Sequence, residues 1–435
     1  MIHPVYQFRQ FDLAISLIFQ TLPMCEISRT ENPSHRDIEN LFAQACQLHQ
    51  DGKLEKALKL YRQLLKKLPG LSLLHFNCGL VLFELGLFQD AENHYRKAAG
   101  LQEDDPDIHY NRGLNFRRLY KFSEAAQSFG YAIKAGDTTV DTFYNLALCH
   151  QDMEDYAVAE RLYMRILKET PDHLSSLNNY AYLCHKSGNI KKAEQLYRQL
   201  LLYNPQHQGA KHMLDSLSGE TPDTAPLEYV EAVFDNYATE FEQSLIDNLE
   251  YRTPTTLHTL YNNLFPDSSR ILALDLGCGT GLAGQEFNDC CREIIGVDIS
   301  EKMLHVAAEK KIYKKLIKDD ILHFLQNSSD VFDLIVAVDV FTYMGCLEQV
   351  FASCSDSSSD KGLFLFSVEV SHSETFELKT TGRFGHSHDY INMVSQKTGW
   401  TILKSVHSRL RKDGGEWIEG FIFILEKHAD PPGKF

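Results

Sequence analysis

The chain has 435 residues, with 43 Lys and Arg against 59 Asp and Glu and a formal charge of −16. That length accommodates two or three domains with proper cores, and the acidic balance argues against a nucleic-acid surface, which needs clustered Lys and Arg. The ten cysteines are scattered, with one adjacent pair, Cys290–Cys291, and no CxxC; this argues against a zinc site or a disulfide framework and for reduced thiols in the cytoplasm.

In chain order, the first feature is the apolar run LAISLIF, Leu13 to Phe19. It is far short of the roughly 20 residues of a membrane span, and with Asp12 beside it it makes a weak signal peptide. No membrane partner is expected. Residues 1–37 read as an N-terminal extension, of which 1–23 precede a second candidate start at Met24.

A repeat follows. Ala57, Ala91, Ala125, Ala159 and Ala193 stand 34 residues apart, each followed four residues later by an aromatic: Tyr61, Tyr95, Phe129, Tyr163, Tyr197. Glycines break the pattern before several alanines (Gly52, Gly86, Gly188), and Pro69, Pro171 and Pro205 close three units. Each unit predicts helix, turn, helix. The small alanine lets two helices approach, the aromatic fills the groove to the next unit, and stacking creates the core. The pattern resembles the tetratricopeptide repeats, which implies an α-solenoid of five repeats and a capping helix over residues 38–218. Asn77, Asn111, Asn145 and Asn179 also recur every 34 residues. In such repeats this position faces the concave groove, where carboxamides can donate to and accept from an extended peptide. A protein or peptide partner is therefore expected there; the alternative is that these Asn residues bridge helices locally.

SGETPDTAPLE, from Ser218, reads as an interdomain linker over 219–228. Tyr229 to Pro254 then carries apolar residues at helical spacing. From Arg270 strand and helix patterns alternate, which predicts a parallel sheet with helices on both faces. The first strand runs into DLGCGTG, with Asp275 two residues before Gly277 and further glycines at 279 and 281. Glycines without a Cβ let the backbone approach a nucleotide-like ligand. The second strand, EIIGV, ends at Asp298, placed to accept two ribose hydroxyls. Asp320 after the third strand is a candidate acceptor for an adenine amino group. FDLIVAV ends at Asp339. An acid before the first glycine would repel a dinucleotide's pyrophosphate and suits a ligand carrying an ammonium; an NAD-dependent oxidoreductase is thus the weaker alternative. CSDSSSD, from Cys354, reads as a solvated loop. WTILKSVHSRL and WIEGFIFIL, joined by KDGGE, predict a hairpin.

Together VFDNYATEF, LDLGCGTG, FDLIVAVDVFTY, GRFGHSHDYI and GEWIEGFIFIL make the second half similar to class I S-adenosylmethionine-dependent methyltransferases, and the whole resembles bacterial methyltransferases that carry tetratricopeptide repeats. The resemblance implies a Rossmann-like, seven-stranded, mostly parallel sheet with an antiparallel end over 270–427, lid helices over 229–269 and a tail at 428–435. It implies S-adenosylmethionine at Asp275, Gly277, Cys278, Gly279, Thr280, Gly281, Asp298, Ile299, Met303, Asp320, Ile321 and Asp339. Tyr237, Phe241, Tyr251 and Arg252 are lid candidates. Methyl transfer is an in-line displacement that needs orientation, exclusion of water and sometimes a base, and no metal. The catalytic candidates are Asp339, Tyr343, His386 and His388; the two histidines would share a face if they lay on a strand. Arg383, Glu369 and Tyr390 are candidate substrate contacts. The acceptor, small molecule or protein, is left open, and an inactive or cofactor-sensing repeat scaffold is the alternative reading.

Overall fold

The computed structural model describes residues 33–237, 250–266, 270–413 and 415–428. The chain divides into two compact units, 1–183 and 184–435.

The first unit is helical: α1 (Pro33–Gln50), α2 (Leu54–Lys67), α3 (Ser72–Glu84), α4 (Phe88–Leu101), α5 (Pro106–Arg118), α6 (Phe122–Lys134), α7 (Val140–Asp152), α8 (Tyr156–Glu169) and most of α9 (Leu174–Lys186). The second helix of each pair carries the repeated alanine and aromatic, and Ala57, Tyr61, Ala91, Tyr95, Ala125, Phe129, Ala159 and Tyr163 are all fully buried. A second small-residue ladder lies on the first helices: Ala45, Gly79, Gly113, Ala147 and Ala181, every one buried. A Cβ on Gly113 would stand 2.7 Å from the Phe129 ring, and one on Gly79 2.6 Å from Tyr95. The turns between paired helices are left-handed at one position per repeat. Gly52, Gly86 and Gly188 hold it with φ of 71°, 75° and 80°, but Tyr120 (57°) and Glu154 (60°) hold it without glycine.

Two members of the Asn ladder bond across repeats. Asn145 donates to the Asp141 carbonyl and to the Tyr110 hydroxyl one repeat earlier, and accepts from Arg117. Asn179 donates to the Tyr144 hydroxyl at 2.8 Å, Asn111 donates to the Asp107 carbonyl, and Asn77 is buried. Asn145 and Asn179 thus bridge helices locally, whereas Asn111 bonds only within its own helix.

The second unit holds the end of α9, then α10 (Ile190–Tyr203), α11 (Gln208–Ser218), α12 (Leu227–Tyr237) and α13 (Thr253–Leu264), before the sheet. Strands and helices then alternate: β1 (Arg270–Leu276), α14 (Leu282–Phe287), β2 (Cys291–Asp298), α15 (Glu301–Glu309), β3 (Lys315–Lys318), α16 (Ile321–Asn327), β4 (Phe332–Ala337), α17 (Glu348–Asp356) and β5 (Ser358–Val370). β6 (Phe376–Leu378), β7 (Phe384–His386), α18 (His388–Lys397), β8 (Trp400–Asp413) and β9 (Glu416–Lys427) complete it. Strand order is β3-β2-β1-β4-β5, all parallel, and β9 runs antiparallel to β5 and pairs β8. Alternation sorts each strand's side chains to two apolar faces. Leu274, Phe364, Phe366 and Phe423 join one core, and Ala273, Leu363, Leu365, Ile422 and Ile424 the other.

Three expectations change here. Among the described residues the sheet has nine strands rather than seven, because residues 376–386 fold into a short hairpin, β6–β7, on the end of β5. The predicted linker is docked: Ala225 N–H donates to the Tyr343 carbonyl, the Asp223 carbonyl accepts from Gly345 and Cys346, and Thr221 Oγ1 accepts from Leu378 N–H. CSDSSSD is the end of α17 and the start of β5, with Cys354, Ser357 and Ser358 buried, Asp356 and Asp360 exposed, and Ser358 donating to the Cys354 carbonyl.

Candidate functional site

Order reverses between β1 and β4, so the crevice opens at the carboxyl ends of these strands, where ligands of such sheets bind. The turn after β1 is built by Gly277, Gly279 and Gly281, at φ of 61°, 53° and 91°. A Cβ on Gly277 would meet Val340 at 2.6 Å, whereas one on Gly279 would have no described atom within 4 Å. Gly279 therefore presents backbone that no described residue covers. Beside it the buried Thr280 hydroxyl has no hydrogen-bond partner among the described residues. Asp298, at the end of β2, accepts from Gly279 N–H and from Ser300 N–H, both at 2.8 Å, one on each oxygen. Burial pushes its carboxyl up. The Ile299 backbone also approaches it, and the carboxylate's remaining lone-pair capacity is available to hydroxyl donors.

Asp275 departs from expectation. It accepts from the Tyr313 hydroxyl at 2.7 Å, and from Gly284 N–H, and burial pushes its carboxyl up to about 7. Tyr313 fills the space that Cβ atoms on Gly281, Gly284 and Gly296 would occupy. The acid thus buttresses the loop from behind. Cys278 and Ile321 are buried, Met303 is fully so, and Ile299 is half-buried. Asp320 caps α16 with one oxygen, accepting from Leu322 and His323 N–H.

The ends of β4, β5 and β8 form a charged cluster. Asp339 has φ of 59°, a strained conformation for a residue with a Cβ. Arg411 donates to Asp339 at 2.7 Å and to Glu369 at 2.5 Å, Ser367 donates to Asp339 Oδ1, and Lys379 donates to Glu369 at 3.1 Å. Arg411 and Glu369 are buried. Burial pushes the Glu369 carboxyl up, but Arg411 and Lys379 beside it more than offset that and hold it below the ordinary range. Burial also acts to lower Arg411, and the two carboxylates overcome it and raise it. Tyr251 approaches this cluster; burial first, then the Asp339 charge, push its phenol well up. Arg383 bonds Asp413 at 2.6 Å.

Part of the lid expectation has geometry. The Ser300 hydroxyl donates to Asp235 on α12 at 2.7 Å, and Phe234 packs edge-on against Tyr343. The helix thus touches both the Asp298 end and the Asp339 end of the crevice. Tyr237 ends α12, Arg252 is exposed at the start of α13, and Phe241 lies outside the described residues.

The histidine expectation fails. His386 ends β7 and His388 begins α18, so they share no strand face. His386 is fully buried, bonds the Gly345 carbonyl, and is pushed down to about 4 by burial. His388 bonds Ser405 and packs on Phe421 and Phe423. Tyr390 is buried, accepting from Leu347 N–H. One potential metal-binding group occurs among the described residues, His258, Asp289 and Cys290, on the far side of β1 and β2 from the crevice ends. Its atoms have protein partners: His258 bonds Asp289 at 3.1 Å and the Cys290 thiol donates to Phe287.

Arg411, Lys379, Tyr313 and Ser300 are the site residues that sequence reasoning missed. Residues 274–364 match the family model of a methyltransferase domain, and residues 42–106, 76–139 and 138–201 match models of the tetratricopeptide repeat. The 18S rRNA (guanine-N(7))-methyltransferase RID2 of Arabidopsis thaliana is 35% identical over 71 residues, 16% of this chain and 25% of that protein. The biotin biosynthesis bifunctional protein BioHC of Saccharophagus degradans is 26% identical over 187 residues, 39% of this chain and 32% of that one. The chain thus spans between a quarter and a third of the length of these curated relatives. Among solved structures, the TPR protein YrrB covers 40% of this chain and 89% of its own at 18% identity and a TM-score of 0.38. The N-methyltransferase NodS from Bradyrhizobium japonicum covers 44% and 99% at 16% identity and a TM-score of 0.36. The chain carries tetratricopeptide repeats followed by a methyltransferase domain with a Rossmann-like sheet. No helix among the described residues is long and apolar enough to cross a membrane.

Proposed function

We propose that residues 184–435 transfer a methyl group from S-adenosylmethionine to an acceptor at the ends of β4 and β5, and that the repeats bind a protein or peptide partner. One observation carries the cofactor assignment: the Asp298 carboxylate is locked to Gly279 N–H at the end of β2, beside the open face of that glycine. In this arrangement Asp298 holds two ribose hydroxyls, Gly279 and Thr280 line the crevice, and the second oxygen of Asp320 takes an adenine amino group. When bound, S-adenosylmethionine supplies an electrophilic methyl on a sulfonium.

The protein's own contribution is orientation. Glu369 and Arg411 stay charged across the neutral range, so they hold the acceptor side in place and make poor proton acceptors, because an effective base titrates near the operating pH. Tyr251 keeps its proton and acts as a donor. Asp339, fixed by Arg411 and Ser367, positions rather than abstracts. Such a site suits an acceptor whose own atom is nucleophilic without assistance. Bridging of Asn145 and Asn179 to tyrosines leaves partner capture to other side chains of the repeats.

A second reading, a scaffold whose methyltransferase fold senses the cofactor, is favoured by one fact: Asp275, Asp339 and Glu369 all have protein partners. Incubating the full chain with methyl-labelled cofactor and source-cell extract, separated into protein and small-molecule fractions, distinguishes them. Label in either fraction that Asp298→Ala abolishes supports the enzyme; cofactor binding with no label in either fraction supports the scaffold.

A further inference from the structure

The segment between the repeats and the lid grips one turn of the methyltransferase domain. The β6–β7 turn, residues 379–383, carries Lys379, bonded to Glu369, and Arg383, bonded to Asp413. Its backbone is closed by Lys379 N–H to the Arg383 carbonyl and Gly382 N–H to the Lys379 carbonyl. Gly382 is left-handed at φ of 77°, and a Cβ there would stand 2.8 Å from Met213 Sδ on α11. His212 on α11 is 1% exposed and bonds the Gly382 carbonyl at 2.8 Å. Its ring lies 4.8 Å from Tyr229 on α12 and 6.1 Å from Phe384 on β7. The Tyr229 hydroxyl donates to Met213 Sδ. His185, in the last turn of α9, lies beside the Thr380 backbone, which raises its pKa against the lowering by burial. By fold these residues belong to the last repeat and its cap, and by contact they belong to the acceptor side of the site.

We propose that α11 and the end of α9 position the acceptor side of the methyl-transfer site, with His212 and His185 as positioning residues that fix the 379–383 turn and so place Lys379 and Arg383. The cap of the solenoid is a working part of the enzyme, and a partner that shifts the last repeat alters the acceptor side without touching Asp298. This rests on the reading of the strand ends as a methyl-transfer site, but the geometry of the grip is independent of it.

The test uses the full chain with His212→Ala, His212→Gln and His185→Ala. Amide hydrogen exchange is followed over 378–386 and, as reference, over 275–281, with S-adenosylhomocysteine affinity and labelled-methyl incorporation from extract alongside. Loss of a buried hydrogen bond corresponds to about tenfold. Exchange over 378–386 in His212→Ala is expected to rise about tenfold and incorporation to fall about tenfold, with affinity for the homocysteine unchanged; His212→Gln, which can still donate to Gly382, restores both. Unchanged exchange over 378–386 in both alanine variants overturns the proposal, as does faster exchange with undiminished incorporation, or a fall in affinity that parallels the fall in incorporation. Should His212→Ala not fold, His185→Ala, whose contact is to the exposed tip of the turn, decides alone. A wild type that neither binds the homocysteine nor incorporates label refutes the enzyme reading instead, and the exchange arm still decides whether α11 holds the turn.

Discussion

Replacing Asp275 by Asn is expected to change how stability depends on pH. The folded carboxyl titrates at about 7 against an ordinary 3.8. A raised carboxyl contributes stability that is full below the unfolded value and is lost as pH rises through the folded one. Across that window the loss is about 4 kcal/mol, at about 1.4 kcal/mol per pH unit. His386 works in the opposite sense. Its imidazole is pushed down to about 4 from an ordinary 6.5, so it contributes stability above 6.5 that is lost as pH falls towards 4, about 3 kcal/mol in all. The two nearly cancel in the wild type, and only the difference between wild type and Asp275→Asn isolates the acid. The assay is urea unfolding followed by tryptophan fluorescence from pH 5 to 8.5. Both tryptophans of the chain, Trp400 and Trp417, lie on β8 and β9, so the signal reports the methyltransferase domain. The variant should gain about 2 kcal/mol on the wild type between pH 5 and 7, with the difference levelling off above pH 8. A difference independent of pH would show that Asp275 is solvated, and would refute the view that it buttresses the loop through Tyr313.

Two further outcomes follow from packing. Arg411→Met leaves Asp339 and Glu369 without their shared cation in a buried setting, which should cost about 3–5 kcal/mol in the same fluorescence assay; adding Glu369→Gln should recover a substantial part, and no recovery would show that the cluster is held by other contacts. Glu154→Gly relieves a left-handed residue with a Cβ and should stabilise the repeats by about 1 kcal/mol by circular dichroism, whereas Gly188→Ala should cost a similar amount.

The repeats were legible because the same small and aromatic residues must recur wherever helices stack at the same distance. The second ladder is harder to read because its positions 45, 79, 113, 147 and 181 mix Ala and Gly and no aromatic follows them in step, though they keep the same 34-residue period. The Gly277–Gly281 loop and Asp298 were legible because bare backbone and a strand-end acid have few other uses together. Arg411 was not. A strand's alternation would place it outside, but the register shifts between Arg409 and Arg411, and this bulge turns Leu410 and Arg411 both inward. The histidines of GRFGHSHDYI misled because Ser387 caps a helix by accepting from Tyr390 N–H, and the helix begins between the two. The linker misled because its Pro, Ser and Thr content describes an extended backbone equally well whether it is free or paired, and here it is paired with 343–346.

Titration calorimetry of S-adenosylmethionine and S-adenosylhomocysteine into the full chain and into Asp298→Ala decides whether Asp298 holds the cofactor. Loss of two hydrogen bonds to a charged carboxylate corresponds to about 3 kcal/mol, or roughly a hundredfold in affinity. Saturable binding to the wild type is expected, weakened about that much by Asp298→Ala. Absence of binding to the wild type, or equal affinity for the variant, would contradict the cofactor assignment.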